Sequence, residues 1–129
     1  MDRMVEALGR DSRIAYALLF GSVARGDSHA GSDLDIAVGL MPGAHYSPLD
    51  VGALVSDLEQ VSGQTVDLVI LDDAPPAVAY RAFRDGVTLI VRDRRHLVER
   101  KTRAILDYLD FQPLERIAAR GALSAATRG

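Results

Sequence analysis

Leu18-Leu19-Phe20-Gly21-Ser22-Val23-Ala24-Arg25-Gly26 is an apolar run that breaks at a Gly-Ser turn. After residues 27–31 the chain continues Ser32-Asp33-Leu34-Asp35-Ile36-Ala37-Val38, a second apolar run with acids at alternate positions. Side chains alternate along a strand, so Asp33 and Asp35 face one way. Leu34, Ile36 and Val38 take the other side and mark it as buried. Like charges held close repel each other, and an apolar strand gains nothing structural from them. A divalent cation removes the repulsion, and Mg²⁺ takes carboxylate oxygens together with substrate phosphates.

The turn supplies a phosphate side to the same place. Glycine at position 21 lets backbone approach a ligand closely. Ser22 begins a short helical turn, with its hydroxyl and the nearby N–H groups facing an anion. Arg25, one turn on, is within reach of a triphosphate as a fixed positive charge. A third acid, Asp67, interrupts the apolar strand Thr65-Val66-Asp67-Leu68-Val69. If that strand neighbours the second one, three carboxylates meet. Read alone, Asp67 is equally an edge-strand charge that blocks aggregation.

Working outward, residues 2–12 read as a short helix and Ile14 to Phe20 as a buried strand. Leu34 to Leu40 is the second strand, ended by Met41-Pro42-Gly43. Leu49 to Val61 has helical spacing, stopped by Ser62-Gly63. Thr65 to Leu71 is a third strand, rich in β-branched residues. Asp72 and Asp73 read as caps of a helix that starts near Pro75, runs to Asp85 and ends at Gly86. Val87 to Val91 is a fourth strand. Arg94 to about Asp110 is a long amphipathic helix with Val98, Thr102, Ile105 and Leu109 on one stripe. Pro113 interrupts it, and residues 118–129 read as a frayed tail. Strands separated by helices make an α/β (α+β) domain with one central sheet flanked by helices.

The 129 residues suit a single domain, 1–129, with a real core. A net charge of −3 gives no basic footprint over the whole chain, so direct nucleic-acid binding is not expected. The chain has no cysteine, which excludes disulfides and cysteine-bound zinc. Neither a signal-like apolar segment nor a bilayer-length run is present, so a cytoplasmic protein with no membrane contact is expected. His29, His45 and His96 show no metal-ligand spacing. The basic run Arg92, Arg94, Arg95, Arg100, Lys101 and Arg103 reads as a solvated face, and Tyr80 and Tyr108 as packed rings with hydroxyls at the surface.

Gly21-Ser22-Val23-Ala24-Arg25-Gly26 followed by Ser32-Asp33-Leu34-Asp35 resembles the signature of the nucleotidyltransferase superfamily related to DNA polymerase beta. The short chain and its Ala-Arg-Gly variant look like the minimal nucleotidyltransferase (MNT) branch. Val66-Asp67-Leu68-Val69 is similar to the strand that bears the third carboxylate. Asp85-Gly86-Val87-Thr88-Leu89-Ile90 and the helix with Tyr108-Leu109-Asp110 look like the MntA-type antitoxins, which partner with HEPN-type ribonuclease toxins.

The resemblance implies a nucleotidyltransferase fold with a mixed sheet and a long C-terminal helix. It implies Mg²⁺, one or two ions, and transfer of AMP from ATP to a tyrosine of the toxin. By motif match, Gly21 and Ser22 would bind the triphosphate, Asp33 and Asp35 the metal, and Asp67 would bind metal or act as general base. Two alternatives stay open. The chain could neutralise a toxin mainly by masking it, using the 98/102/105/109 stripe continued by Leu114 and Ile117, although such a stripe usually packs on its own sheet. Or it could modify a small molecule, as aminoglycoside-modifying relatives do.

Overall fold

The computed structural model describes residues 2–21 and 33–110. In chain order these form α1 (Asp2–Gly9), β1 (Ile14–Phe20), β2 (Leu34–Leu40), α2 (Pro48–Ser62), β3 (Val66–Ile70), a 3₁₀ turn (Leu71–Asp73), α3 (Pro76–Asp85) and β4 (Val87–Val91). Residues 94–110 are the helix α4. The strands form one mixed sheet in the order β3-β2-β1-β4. β1 is antiparallel to β2 and β4, whereas β2 and β3 are parallel. A mixed sheet flanked by helices and a long helix after the last strand match the architecture that the resemblance implies. Ser22, Arg25, the turn at residues 23–25, His29, Leu114, Ile117 and the 118–129 tail lie outside the described residues.

Alternation along the strands sorts the core into two layers. Ala17, Leu19, Ile36, Val38 and Val66 face one side, where they meet Leu8 of α1 and Leu54 and Leu58 of α2. Tyr16, Leu18 and Ala37 face the other, against Ala79, Ala82 and Phe83 of α3 and Leu97 and Ala104 of α4. The phenol of Tyr16 lies over Gly39, where an added Cβ would stand 2.0 Å from its ring.

Local chemistry sets the helix ends, in two places differently from the sequence reading. At α2, Ser47 and Asp50 form a reciprocal capping box. At α3, neither Asp72 nor Asp73 caps: the N-cap is Pro75, without a side-chain bond. Asp72 is drawn away because its Oδ1 accepts from the Leu40 N–H at 3.0 Å, which ties the 3₁₀ turn to the end of β2. Gly86 does end α3, but with φ −72°, in extended backbone. Its role is close approach: a Cβ there would meet the Ala82 carbonyl at 2.2 Å.

The face of α4 is also displaced from the expected stripe. Leu97 and Ala104 are buried, while Val98 and Leu109 are 51% and 52% exposed. A small residue at 104 lets the helix approach closely, so packing selects that face over the more apolar one. The basic run is less solvated than expected. The Arg92 guanidinium donates to the carbonyls of Ile14 and Gly9 at 3.0 and 2.8 Å. That of Arg100 donates to Leu71 at 2.8 Å. Asp93 caps α4 by accepting from the His96 N–H at 3.0 Å.

At the start of β1, Asp11 accepts from the Arg13 guanidinium at 2.9–3.0 Å and from the Tyr46 hydroxyl. Arg13 continues to Asp50 at 3.1 Å and lies over the Tyr46 ring. These hydrogen bonds, those from Arg13 foremost, hold the Asp11 carboxyl at about 2, below its ordinary 3.8. A carboxylate with a depressed value stabilises the fold above its unfolded value, and that contribution fades as pH falls through the folded one. Asp11→Asn is expected to lower the urea midpoint at pH 7. The gap from wild type should narrow between about pH 4 and pH 2 as wild type loses the same contribution; a gap constant with pH would refute the assignment.

Candidate functional site

Register places the acids. Asp35 pairs with Asp67 across the parallel strands, and with Phe20 across the antiparallel ones. These three therefore stand in one row, on the face shared with Ala37, Val69 and α3. Neighbouring strands lie about 4.8 Å apart, so two carboxylates sit side by side at the sheet's end. The neighbours Leu34, Ile36, Val66 and Leu68 turn the other way, into the core. Asp35 is half-buried and Asp67 exposed. Asp33 is exposed one residue before β2, at the same end.

Gly21 follows directly on β1 with φ +75°, a left-handed conformation that costs a side-chain-bearing residue about 1–2 kcal/mol. A Cβ there would lie 2.1 Å from Asp35 Oδ2. Two constraints thus require glycine: backbone handedness and the closeness of the carboxylate. Gly21 and Asp35 are thus close neighbours.

Phe20, Asp35, Asp67 and Val69 floor a cleft of about 350 Å³. Val78, Arg81 and Asp85 form its wall, on one face of α3 at spacings of three and four. The α3 residues were missed in the sequence. Their signal was present as helical spacing of a valine, an arginine and an acid, but nothing in the sequence says that this face overlooks Asp35. A larger cleft of about 490 Å³ lies at the opposite end of β1, beside Asp11, Arg13, Tyr46 and Asp50. There Asp11, Arg13, Tyr46 and Asp50 bond to one another.

The donors at the acid row are carboxylate oxygens, hard ligands of the kind Mg²⁺ takes. One or two carboxylates with substrate phosphates commonly suffice for that ion. The carboxylates of Asp33, Asp35 and Asp67 at this sheet end are donors that fit such a cation. Among the described residues no group of three His, Cys, Asp or Glu side chains is arranged to hold a metal. Among the same residues, no helix is long and apolar enough to cross a membrane.

Several solved structures share the fold. A toxin–antitoxin complex with AMP-PNP aligns over 99% of this chain and 98% of its own, with a TM-score of 0.78 and 22% identity. The complex of a tri-AMPylated Shewanella oneidensis HEPN toxin with an MNT antitoxin aligns over 99% and 95%, with a TM-score of 0.71 and 19% identity. A structure described as a minimal nucleotidyltransferase is 31% identical over 67% of this chain and 88% of its own, with a TM-score of 0.56. No curated protein sequence matches the chain. The family described as "Polymerase beta, Nucleotidyltransferase" matches residues 3–95. That match spans most of the chain and includes β1, β2 and β3 with Gly21, Asp35 and Asp67, and so the chain belongs to the polymerase beta nucleotidyltransferase family.

Proposed function

We propose that the chain is the antitoxin of a toxin–antitoxin pair and transfers AMP from ATP to a tyrosine hydroxyl of a HEPN-type toxin. The observation that carries the proposal is the Asp35–Asp67 row beside Gly21 at the mouth of a cleft. The fold shared with an AMP-PNP-bound toxin–antitoxin complex and with an AMPylated-toxin complex supports the choice of nucleotide and acceptor. The domain is taken as residues 1–129.

Asp35 and Asp33 would hold a divalent cation, with Asp67 beside them. When bound, the cation neutralises phosphate charge and steadies the departing pyrophosphate. Gly21 and Ser22 would bind the triphosphate through backbone N–H groups, with Arg25 as an added positive charge. The acceptor oxygen attacks the α-phosphorus and forms the new P–O bond. The bond from the α-phosphorus to the bridging oxygen breaks, and pyrophosphate leaves with the electron pair. Asp67 takes the hydroxyl proton. A phenol is a convenient acceptor because its free pKa near ~10 lies below that of an aliphatic alcohol.

A specific observation favours masking as a second activity of the same chain. Val98, Leu106 and Leu109 on α4 are all more than half exposed, at 51%, 54% and 52%. Exposed apolar side chains gathered on one helix suit a protein partner. Masking and transfer separate in one experiment, in which chain, toxin, Mg²⁺ and labelled ATP are mixed. Label on the toxin tyrosine supports transfer; a tight, unlabelled, inactive complex supports masking alone.

Asp35→Asn should cut transfer by at least ~100-fold. As a near-isosteric change, it should leave the urea midpoint close to wild type. Wild-type turnover by the folded variant would sink the mechanism. Gly21→Ala should lose both transfer and about 1–2 kcal/mol of stability, because its Cβ meets Asp35 and its φ is left-handed. Asp67→Asn should lower kcat while ATP binding persists; retained kcat would remove Asp67 as the base.

A further inference from the structure

Arg81 is the one cation among the described residues that line the cleft, in company with Asp35, Asp67 and Asp85. It is exposed, and it makes no hydrogen bond or ion pair to another described residue. Arg3, Arg94 and Arg103 are likewise unpaired but do not line this cleft, whereas several other arginines are occupied. Arg84, three residues on, chelates Asp85 at 2.9 and 3.0 Å and lies against the Tyr80 ring. Arg92 and Arg100 clamp backbone carbonyls, and Arg13 joins Asp11 to Asp50. Arg81 is thus a guanidinium at the wall of an acidic cleft and left available.

The C-terminal half of α3 faces the same cleft. A helix C-terminus carries partial negative charge, which disfavours an anion there unless a cation offsets it. A nucleoside triphosphate is strongly anionic, and a guanidinium presents a planar pair of N–H donors that matches phosphate oxygens. Resting on the reading of this cleft as a nucleotide site, we propose that Arg81 is a substrate-binding residue that grips the phosphate oxygens of the nucleotide. The phosphates would then be held between two elements: the Gly21 turn after β1 and the wall of α3. Lysine keeps the charge but loses the fork, so Arg81→Lys should recover only part of the grip.

The test is calorimetric binding of Mg²⁺-AMP-PNP, adenosine and Mg²⁺ alone to wild type, Arg81→Ala and Arg81→Lys. Circular dichroism confirms that each variant is folded. Arg81→Ala should weaken Mg²⁺-AMP-PNP by ~10–100-fold, the size expected for a charge-assisted hydrogen bond. Arg81→Lys should fall between the two, and adenosine should bind all three alike. Equal Mg²⁺-AMP-PNP affinity in wild type and Arg81→Ala overturns the proposal. So does an equal loss of adenosine, or a variant whose only change is tighter Mg²⁺, since Arg81 would then merely offset the acids. Wild-type protein that binds Mg²⁺-AMP-PNP but never labels a toxin removes the antitoxin reading and leaves the role of Arg81 standing. Wild-type protein that binds no nucleotide overturns both.

Discussion

The register of β2 against its two neighbours is the constraint on which the cleft depends. Hydrogen-bonded pairing sets Phe20, Asp35 and Asp67 in a single row. Side chains alternate with a period of two, so a slip of β2 by one residue would send Asp35 into the α1/α2 core, bring Ile36 out and part Asp35 from Asp67. The apolar set prevents that slip. Leu34, Ile36, Val38 and Leu40 are all nearly inaccessible, and each gains from staying where it is. Burial on one side of the sheet thereby positions charge on the other.

That arrangement makes the acid pair inexpensive to hold. Asp35 and Asp67 lie where strands end and solvent begins, so neither must be fully desolvated. Gly21 brings backbone to the same end without a side chain to intrude on Asp35. The opposite end of β1 shows the contrast. There Asp11, Arg13, Tyr46 and Asp50 complete one another's hydrogen bonds and close a structural joint. Polar clusters thus stand at the two ends of the sheet, and the one at the start of β1 is closed on itself.

Much of this was legible in the chain. Alternating acids among aliphatic residues defined β2 and its two faces, and Asp67 had to be a neighbour only if β3 lay beside β2, which it does. The boundaries of β1, β2 and β4 follow the apolar runs because Gly21 ends β1, the Met41-Pro42-Gly43 turn ends β2 and Arg92 ends β4. What could not be read depended on tertiary approach. Asp72 caps nothing because Leu40 claims it from another strand. The stripe at 98, 102, 105 and 109 carries more apolar surface than the face with Leu97 and Ala104, yet the smaller residue wins because it lets α4 come close. Arg81 and Asp85 gain meaning only once α3 is laid over the sheet.

Tyr80 of α3 and Tyr108 of α4 stack with ring centroids 4.0 Å apart and planes within 3° of parallel. Such a stack contributes about 0.5–1.5 kcal/mol beyond the area it covers. It rivets the far end of α4 to the helix that carries Arg81. The exposed aliphatic ridge of α4 and the cleft are thereby mounted on one rigid frame. Whatever settles on that ridge therefore meets a surface coupled, through two stacked rings, to the wall of the cleft.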